Sequence, residues 1–269
     1  MIPEANMATA ILIILLIILI YFALVMPRTT ERPDMSFMLM RKYAHRGYHG
    51  EDVPENTLAA FSRAIDAGYG IELDVQLTSD KVAVVFHDYT LTRMLGVDKK
   101  VSELTFEELR EYTFEGTEEK IPTFAEVLEL VGGSTPLIIE LKGESGDTSL
   151  CPVIADMLDS YNGVFAVQSF NPLLMRYMKI YRPQFIRGQL ATGKYEKKNA
   201  LLGFLLSNML LNFLSRPDYA AYHHGSYTLA LDIFKLFSAP RFAWTLQNAE
   251  DEEKAAKRFE TVIFENYEA

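Results

Sequence analysis

From residue 41 onward, short strand-like runs alternate with helical stretches, and few folds accommodate that order. The runs are Tyr43–His45, Gly70–Leu77, Val82–His87, Pro136–Leu141, Val164–Phe170, Phe185–Leu190, Tyr219–Tyr222, Arg241–Leu246 and Thr261–Phe264. Each is rich in β-branched or aromatic residues, or is bounded by Gly, Pro or Asp. Helical patterns fall between most of them, at Asn56–Ala67, Thr105–Tyr112, Thr123–Val131, Pro152–Tyr161, Pro172–Tyr181, Asn199–Phe213 and Ala249–Arg258. Thr105 and Thr123 each precede a Glu by three positions, the spacing of a capping box. Gly68 and Gly132 stand where a helix C-terminus wants a left-handed residue. Strand–helix alternation predicts a parallel sheet with helices outside. About eight such units in about 225 residues predict a closed β/α barrel. Nine runs are one too many, so one is misread or stands outside the barrel. The join from Leu77 to Val82 is too short for a helical crossover, and irregular geometry is expected there.

The segment before residue 27 follows other rules. Ala8 to Met26, ATAILIILLIILIYFALVM, carries no charge. As a helix at about 1.5 Å per residue it spans roughly 28 Å, close to a bilayer's hydrocarbon core. A cleaved signal peptide fits less well, because MIPEAN has no Lys or Arg and no A-x-A-like site follows. Residues 1–26 are therefore expected to be a retained transmembrane anchor, 27–40 a juxtamembrane linker, and 41–269 the barrel. Glu4 precedes the span, whereas Arg28, Arg32, Arg41 and Lys42 follow it. The positive-inside rule then puts the barrel in the cytoplasm of a single-pass membrane protein. Asn199–Phe213 is also very apolar, but Ser207, Asn208 and Asn212 interrupt it. The expectation is a core-packing barrel helix; a helix touching the membrane surface and a second span are the alternatives.

Composition removes several classes. Lys and Arg number 26 against 36 Asp and Glu, giving a net charge of −10. Such a chain is a poor electrostatic partner for nucleic acid. A single cysteine, Cys151, excludes a disulfide framework and a cysteine-rich zinc site.

Charge placed inside strands points to chemistry. A barrel strand is covered on both faces and should be apolar. In Gly70–Leu77, Glu72 and Asp74 instead share one face, because strand side chains alternate. Glu140 and Lys142 repeat the device around Leu141. A half-wet antiparallel strand would explain one such run; two in one βα pattern favour a site. Converging carboxylates repel unless protonated or bound to a cation. All-oxygen donors suit one divalent cation, Mg²⁺ or Ca²⁺, better than Zn²⁺. Lys142 beside them suits an anionic substrate. His45 and His87 each stand at the C-terminal end of a strand-like run, where the catalytic face of a β/α barrel lies. Two histidines titrating near neutrality can act as acid and base in turn. His49 reads as a loop residue, and His223 and His224 as strand-end residues.

Ala44-His45-Arg46-Gly47, Pro54-Glu55-Asn56-Thr57, Glu72-Leu73-Asp74-Val75, Phe86-His87-Asp88 and Ile139-Glu140-Leu141-Lys142, taken in order, resemble the signature of glycerophosphodiester phosphodiesterases. Ser169-Phe170 and Trp244-Thr245 resemble its later motifs. Asn212–Asp218 resembles a stretch of the membrane-anchored bacterial branch. The resemblance implies a TIM (β/α)8 barrel, here preceded by one transmembrane helix. It implies His45 and His87 as general acid and base, and Glu72, Asp74 and Glu140 as ligands of one divalent cation. It implies Arg46 and Lys142 on the phosphate, Glu55 in support, and Phe170 and Trp244 lining the alcohol side. The implied reaction is hydrolysis of a glycerophosphodiester to glycerol 3-phosphate and an alcohol, through attack by the neighbouring glycerol hydroxyl and a cyclic phosphate. Two places depart from the family's frequent pattern. Trp244-Thr245-Leu246-Gln247-Asn248 carries one extra residue, and the last strand runs into Glu265-Asn266 instead of Thr-Asp.

The anchor allows a second substrate class, a membrane lysophospholipid, as in a lysophospholipase D. A wide apolar groove beside Trp244 would favour that version. From another class, a catalytically inactive barrel could serve as a membrane-bound phosphate- or partner-binding module, although every position the chemistry needs is filled. A metal-dependent nuclease is disfavoured by charge.

Overall fold

The computed structural model describes residues 4–143, 146–195 and 199–269, so residues 1–3 of the expected anchor lie outside the described residues. Its strands are β1 (Tyr43–Ala44), β2 (Gly70–Leu77), β3 (Ala83–Val85), β4 (Leu137–Leu141), β5 (Phe165–Ser169), β6 (Ile186–Ala191), β7 (Tyr219–His223), β8 (Arg241–Leu246) and β9 (Thr261–Phe264). They form one sheet in the order β1-β9-β8-β7-β6-β5-β4-β2-β3, and an added β1–β2 pairing closes it. Every pairing in the ring is parallel; only β3 is antiparallel, with Val75 opposite Val85 and Leu77 opposite Ala83. The fold is thus an eight-stranded parallel β/α barrel, and the surplus run is a return strand outside it. The short join turns through Lys81 at φ 67°, with Thr78 N–H donating to Val82 O.

Alternation along the strands builds two layers. Ile71, Leu73 and Val75 of β2 and Leu137, Ile139 and Leu141 of β4 point outward into the core shared with the helices. Tyr43, Ile138, Ala166, Ile186, Tyr219, Phe242 and Ile263 point inward and fill the barrel. Two glycines make room for the inward tyrosines. A Cβ on Gly70 would fall 2.6 Å from the Tyr43 ring, and one on Gly188 would fall 2.2 Å from the Tyr219 ring. The buried hydroxyls are satisfied: Tyr43 donates to Met38 O at 2.9 Å and Tyr219 to Gln168 Oε1 at 3.2 Å. Between β3 and β4 an insert has its own small core of Val84, Phe86, Leu91, Val101, Leu104, Leu109, Phe114 and Ile121.

Local signals place the helices. Thr57 caps Leu58–Asp66 by accepting from Ala60 N, and Thr105 and Thr123 form the expected capping boxes. Each such cap is worth about 1 kcal/mol. The Ala230–Leu236 helix between β7 and β8 has no counterpart among the helical patterns read from sequence.

One segment differs from expectation. Asn199–Phe213 is not one core-packing helix. It forms Ala200–Ser207 and Asn212–Ser215, broken where Met209 takes φ 54°. Leu206 is the buried residue of the first piece, whereas Leu201 is 69% exposed and Phe204 58%. The described residues contain one helix long and apolar enough to cross a membrane, Met7–Val25, so Asn199–Phe213 does not supply a second. Residues 27–40 are packed along the end of the barrel where strands begin. Arg28 N–H donates to Pro217 O, the Arg32 guanidinium reaches Phe237 O and Ser238 O, and Met35 and Met38 are buried under the inner core.

Candidate active site

The inward face of each strand changes from apolar to polar toward its C-terminal end. On β2, Glu72, Asp74 and Gln76 climb the interior; on β4, Ile138 gives way to Glu140, with Lys142 just beyond. Register sets Asp74 directly across from Glu140. One carboxylate oxygen from each of Glu72, Asp74 and Glu140 lies within 4.8 Å of the others, and all three residues are buried. These are all-oxygen donors on rigid strands, a set that fits a hard divalent cation and could hold one.

Cations brace the cluster unevenly. Lys142 Nζ lies 2.9 Å from Asp74 Oδ1 and 2.7 Å from Glu140 Oε1. Arg46 Nε lies 3.5 Å from Asp74 Oδ2, and Asn56 Nδ2 donates to the same oxygen at 2.9 Å. Burial raises the Asp74 pKa, but Lys142, His87 and Arg46 outweigh it and hold the carboxyl well below the usual range. Glu72 makes no Lys or Arg ion pair among the described residues; the Arg46 backbone N–H donates to its Oε2 at 3.2 Å. Burial, then Asp74 and Glu140, push Glu72 well above the ordinary carboxylate range. Burial also raises Glu140 against the pull of Lys142. Two protonation-prone carboxyls beside an ionised one mark a place short of positive charge.

The Arg46 loop is held by backbone constraint. Arg46 and Asn56 take φ of 56° and 57°, and Asn56 N–H donates to Arg46 O. A Cβ on Gly47, at φ 82°, would lie 2.8 Å from Ala60 Cβ, so only glycine lets this loop lie against the helix.

The histidines flank the cluster in matched settings. His45 follows β1, and its Nδ1 lies 2.5 Å from Glu265 Oε2; its Nε2 lies 4.0 Å from Glu72 Oε2. His87 Nδ1 lies 2.6 Å from Asp88 Oδ1. With Nδ1 on a carboxylate, Nε2 is the ring nitrogen left available in both. Burial lowers both imidazole pKa values, against the raising effect of Glu265 on His45 and of Asp74 on His87. His87 does not end a barrel strand. It follows the antiparallel return strand β3 and comes to the site from the rim, because the insert folds back over β2. Gln76 pins that loop by donating to Phe86 O at 2.7 Å and Asp88 O at 2.8 Å.

Several residues of the site carry no local signal. Arg93 donates to Asp88 Oδ2 at 2.6 Å and to Glu55 Oε1 at 2.6 Å, and Glu55 accepts from Arg46 Nη1 at 2.8 Å. This chain links the His87 side to the Arg46 side. Gln247 Nε2 donates to Glu265 Oε1 at 2.8 Å, so the two stretches that depart from the frequent pattern meet behind His45. His49 Nε2 lies 3.9 Å from Glu265 Oε2.

Phe170 and Trp244 meet edge to face with ring centroids 5.5 Å apart, and Trp244 meets His223 the same way at 5.5 Å. A cavity of about 940 Å³ opens on the Phe170 side and is reached by His87, Glu140 and Lys142. Its far wall is apolar: Tyr195, Leu202, Leu206, Leu211 and Leu214. Trp244 stands behind Phe170 and does not line it.

The C-terminal face of this eight-stranded parallel barrel thus carries a carboxylate triad, two histidines on carboxylates, and Arg46 and Lys142 against Asp74. Residues 45–264 match the Glycerophosphoryl diester phosphodiesterase family, and the chain belongs to it. YhdW of Bacillus subtilis, itself provisionally named a glycerophosphodiester phosphodiesterase, is 31% identical over 217 residues, 76% of this chain and 85% of that protein. The glycerophosphodiester phosphodiesterase of Caldanaerobacter subterraneus is 46% identical over 109 residues; the match covers 37% of this chain and 44% of that enzyme's length. The crystal structure of glycerophosphodiester phosphodiesterase from Thermotoga maritima superposes with a TM-score of 0.65 at 28% identity, covering 82% of this chain and 92% of that one.

Proposed function

We propose that the chain is a membrane-anchored, divalent-cation-dependent glycerophosphodiesterase that releases glycerol 3-phosphate and an alcohol. The observation that carries this reading is the convergence of Glu72, Asp74 and Glu140 between His45 and His87, with Arg46 and Lys142 alongside. In this reading the three carboxylates hold one cation, Mg²⁺ or Ca²⁺, which supplies Lewis-acid charge for the phosphate oxygens when bound. Arg46 and Lys142 bind the phosphate and offset the charge that develops on it. One histidine takes the proton from the attacking glycerol hydroxyl at its Nε2, and the other gives a proton to the departing alcohol; the roles exchange when water opens the cyclic phosphate. Glu265 and Asp88 keep both rings in the tautomer that leaves Nε2 free. Glu55 and Arg93 set the position of Arg46. Phe170 faces the alcohol side, with Trp244 behind it.

The Met7–Val25 helix serves as a retained single span, with the barrel on the cytoplasmic side. Retention is supported by its docking: Asn212 Nδ2 donates to Val25 O at 3.2 Å and Arg216 Nη1 to Met26 O at 3.1 Å. Protease added to intact cells then spares the barrel, and cleavage there reverses the topology.

The apolar wall of the cavity favours a second substrate reading, a lysophospholipid whose acyl chain lies against Leu202, Leu206, Leu211 and Leu214. Parallel assays of glycerophosphocholine and of lysophosphatidylcholine in mixed micelles separate the two. Turnover of the soluble diester alone leaves the groove without a role in substrate binding; turnover of the lysolipid alone makes the chain a lipid enzyme.

A further inference from the structure

The path of the chain between Tyr21 and Met38 fixes which end of the barrel faces the anchor. The Tyr21 side chain hydrogen-bonds Thr228, and the anchor helix packs against the Ala230–Leu236 helix that follows. Thr228 belongs to the loop that follows β7, at the catalytic end of the barrel. Seven residues later Arg28 N–H donates to Pro217 O, its guanidinium donates to Pro183 O, and it pairs with Asp218 at 3.7 Å. Pro183 and Pro217 precede β6 and β7, so they stand at the opposite end. The chain therefore enters from the catalytic side, runs down the wall of the barrel, and crosses beneath it to Met35 and Met38.

What precedes Tyr21 must project beyond the catalytic face. Met7 through Ile20 are all exposed, whereas Tyr21, Phe22, Leu24 and Met26 pack on the outer core and Val25 is fully buried. The helix is continuous from Glu4 to Val25, so its exposed part runs without a break into the turn docked on the barrel. With no free linker between the exposed helix and its docked last turn, the barrel rim is held close to the membrane interface. That rim carries exposed apolar side chains: Leu201 is 69% exposed, Phe204 58%, Tyr227 58% and Leu229 56%. The socket that grips the anchor is Asn212 to Asp218, the stretch that resembles the membrane-anchored branch.

We propose that the barrel sits mouth-down on the bilayer it is anchored in, with Leu201, Phe204, Tyr227 and Leu229 in the interface of the adjoining leaflet. This rests on the reading that Met7–Val25 spans the membrane, and it does not depend on which diester is cleaved. The face away from the membrane is then the end that carries Met35, Asn162 and Ser134. A substrate arriving from the leaflet meets the leucine-lined wall of the cavity before it meets Lys142. A soluble diester has to enter sideways between rim and lipid.

Site-directed labelling of the full chain in phosphatidylcholine vesicles tests this. Cys151 is buried and stays in place, and the unsubstituted chain measures its background labelling. Phe204→Cys and Tyr227→Cys each carry a fluorophore on the proposed interface, and Asn162→Cys carries one on the opposite end. Thermal melts and far-ultraviolet circular dichroism check that every labelled chain is folded. Lipid-borne nitroxide is expected to quench the labels at 204 and 227 severalfold more than the label at 162. Equal quenching at all three positions, or stronger quenching at 162, overturns the proposal. Quenching is read without turnover, so absence of diesterase activity refutes the functional reading and leaves this one standing on its own result.

Discussion

Oε2 of Glu265 lies 2.5 Å from Nδ1 of His45, a contact across 220 positions of sequence. Asp88, the immediate neighbour of His87, does the same for that ring at 2.6 Å. A distant residue and an adjacent one thus build equivalent carboxylate–histidine pairs on either side of one carboxylate triad. Gln247 holds the other oxygen of Glu265, so the extra residue after Trp244 and the unusual end of the last strand form one unit.

Glu265→Gln keeps the shape of that unit and removes its charge. The turnover number is expected to fall about 10- to 100-fold with little change in KM, as for other residues that orient a reacting group. Steady-state kinetics on glycerophosphocholine read it, and an unchanged turnover number removes Glu265 from the machinery.

His45→Ala and His87→Ala remove the groups assigned to proton transfer. Each should cost about 10²–10⁴-fold in turnover, the usual worth of a positioned acid or base. Both rings are partly exposed, so the melting temperature should stay close to that of the parent chain. Activity retained in both variants sinks the assignment.

The pH profile carries a sign. Burial lowers both histidine pKa values, so the neutral rings persist below the ordinary histidine value of about 6.5. A bound cation pushes in the same direction. The acid limb of kcat/KM should therefore fall below pH 6.5, and a limb at or above 6.5 contradicts the assigned environment.

Glu72 should matter most to cation affinity, because it makes no Lys or Arg ion pair among the described residues. Glu72→Gln is expected to raise the half-saturating Mg²⁺ or Ca²⁺ concentration on the order of tenfold or more, one of three carboxylate donors being lost. In the parent chain, cation at a hundred times its dissociation constant should add about 2.7 kcal/mol of stability, visible as a rise in melting temperature. An identical titration in parent and variant removes Glu72 from the ligand set.

Gly188→Ala tests the packing that supports the site. Its Cβ would fall 2.2 Å from the Tyr219 ring, which fills the barrel interior. A loss of about 1–3 kcal/mol is expected, the range for overpacking a core. A melt that does not move would mean that the interior has slack.

The barrel and the centre of its site were legible because period-2 alternation is a local signal. Glu72 and Asp74 share a face wherever that strand sits, and Glu140 with Lys142 repeats the device. Glu265, Gln247 and Arg93 were not legible as site residues, because their partners are set only by closure of the barrel and by the fold of the insert. Asn199–Phe213 reads as a core-packing helix because apolar residues surround it and no polar face marks which side is covered; Leu201 and Phe204 are nevertheless exposed. Residues 27–40 read as a juxtamembrane linker because prolines and mixed charge dominate them. Two methionines, Met35 and Met38, nevertheless complete the floor of the core.

The central claim is that this triad, with its histidines, hydrolyses glycerophosphodiesters with the help of a divalent cation. Glycerol 3-phosphate release from glycerophosphocholine by the full chain in detergent, with Mg²⁺ or Ca²⁺ and then with excess chelator, tests it most directly. The account predicts release that depends on the cation, disappears with chelator and returns when cation is restored. Release unaffected by chelation, or none from a folded chain with either ion, would contradict it.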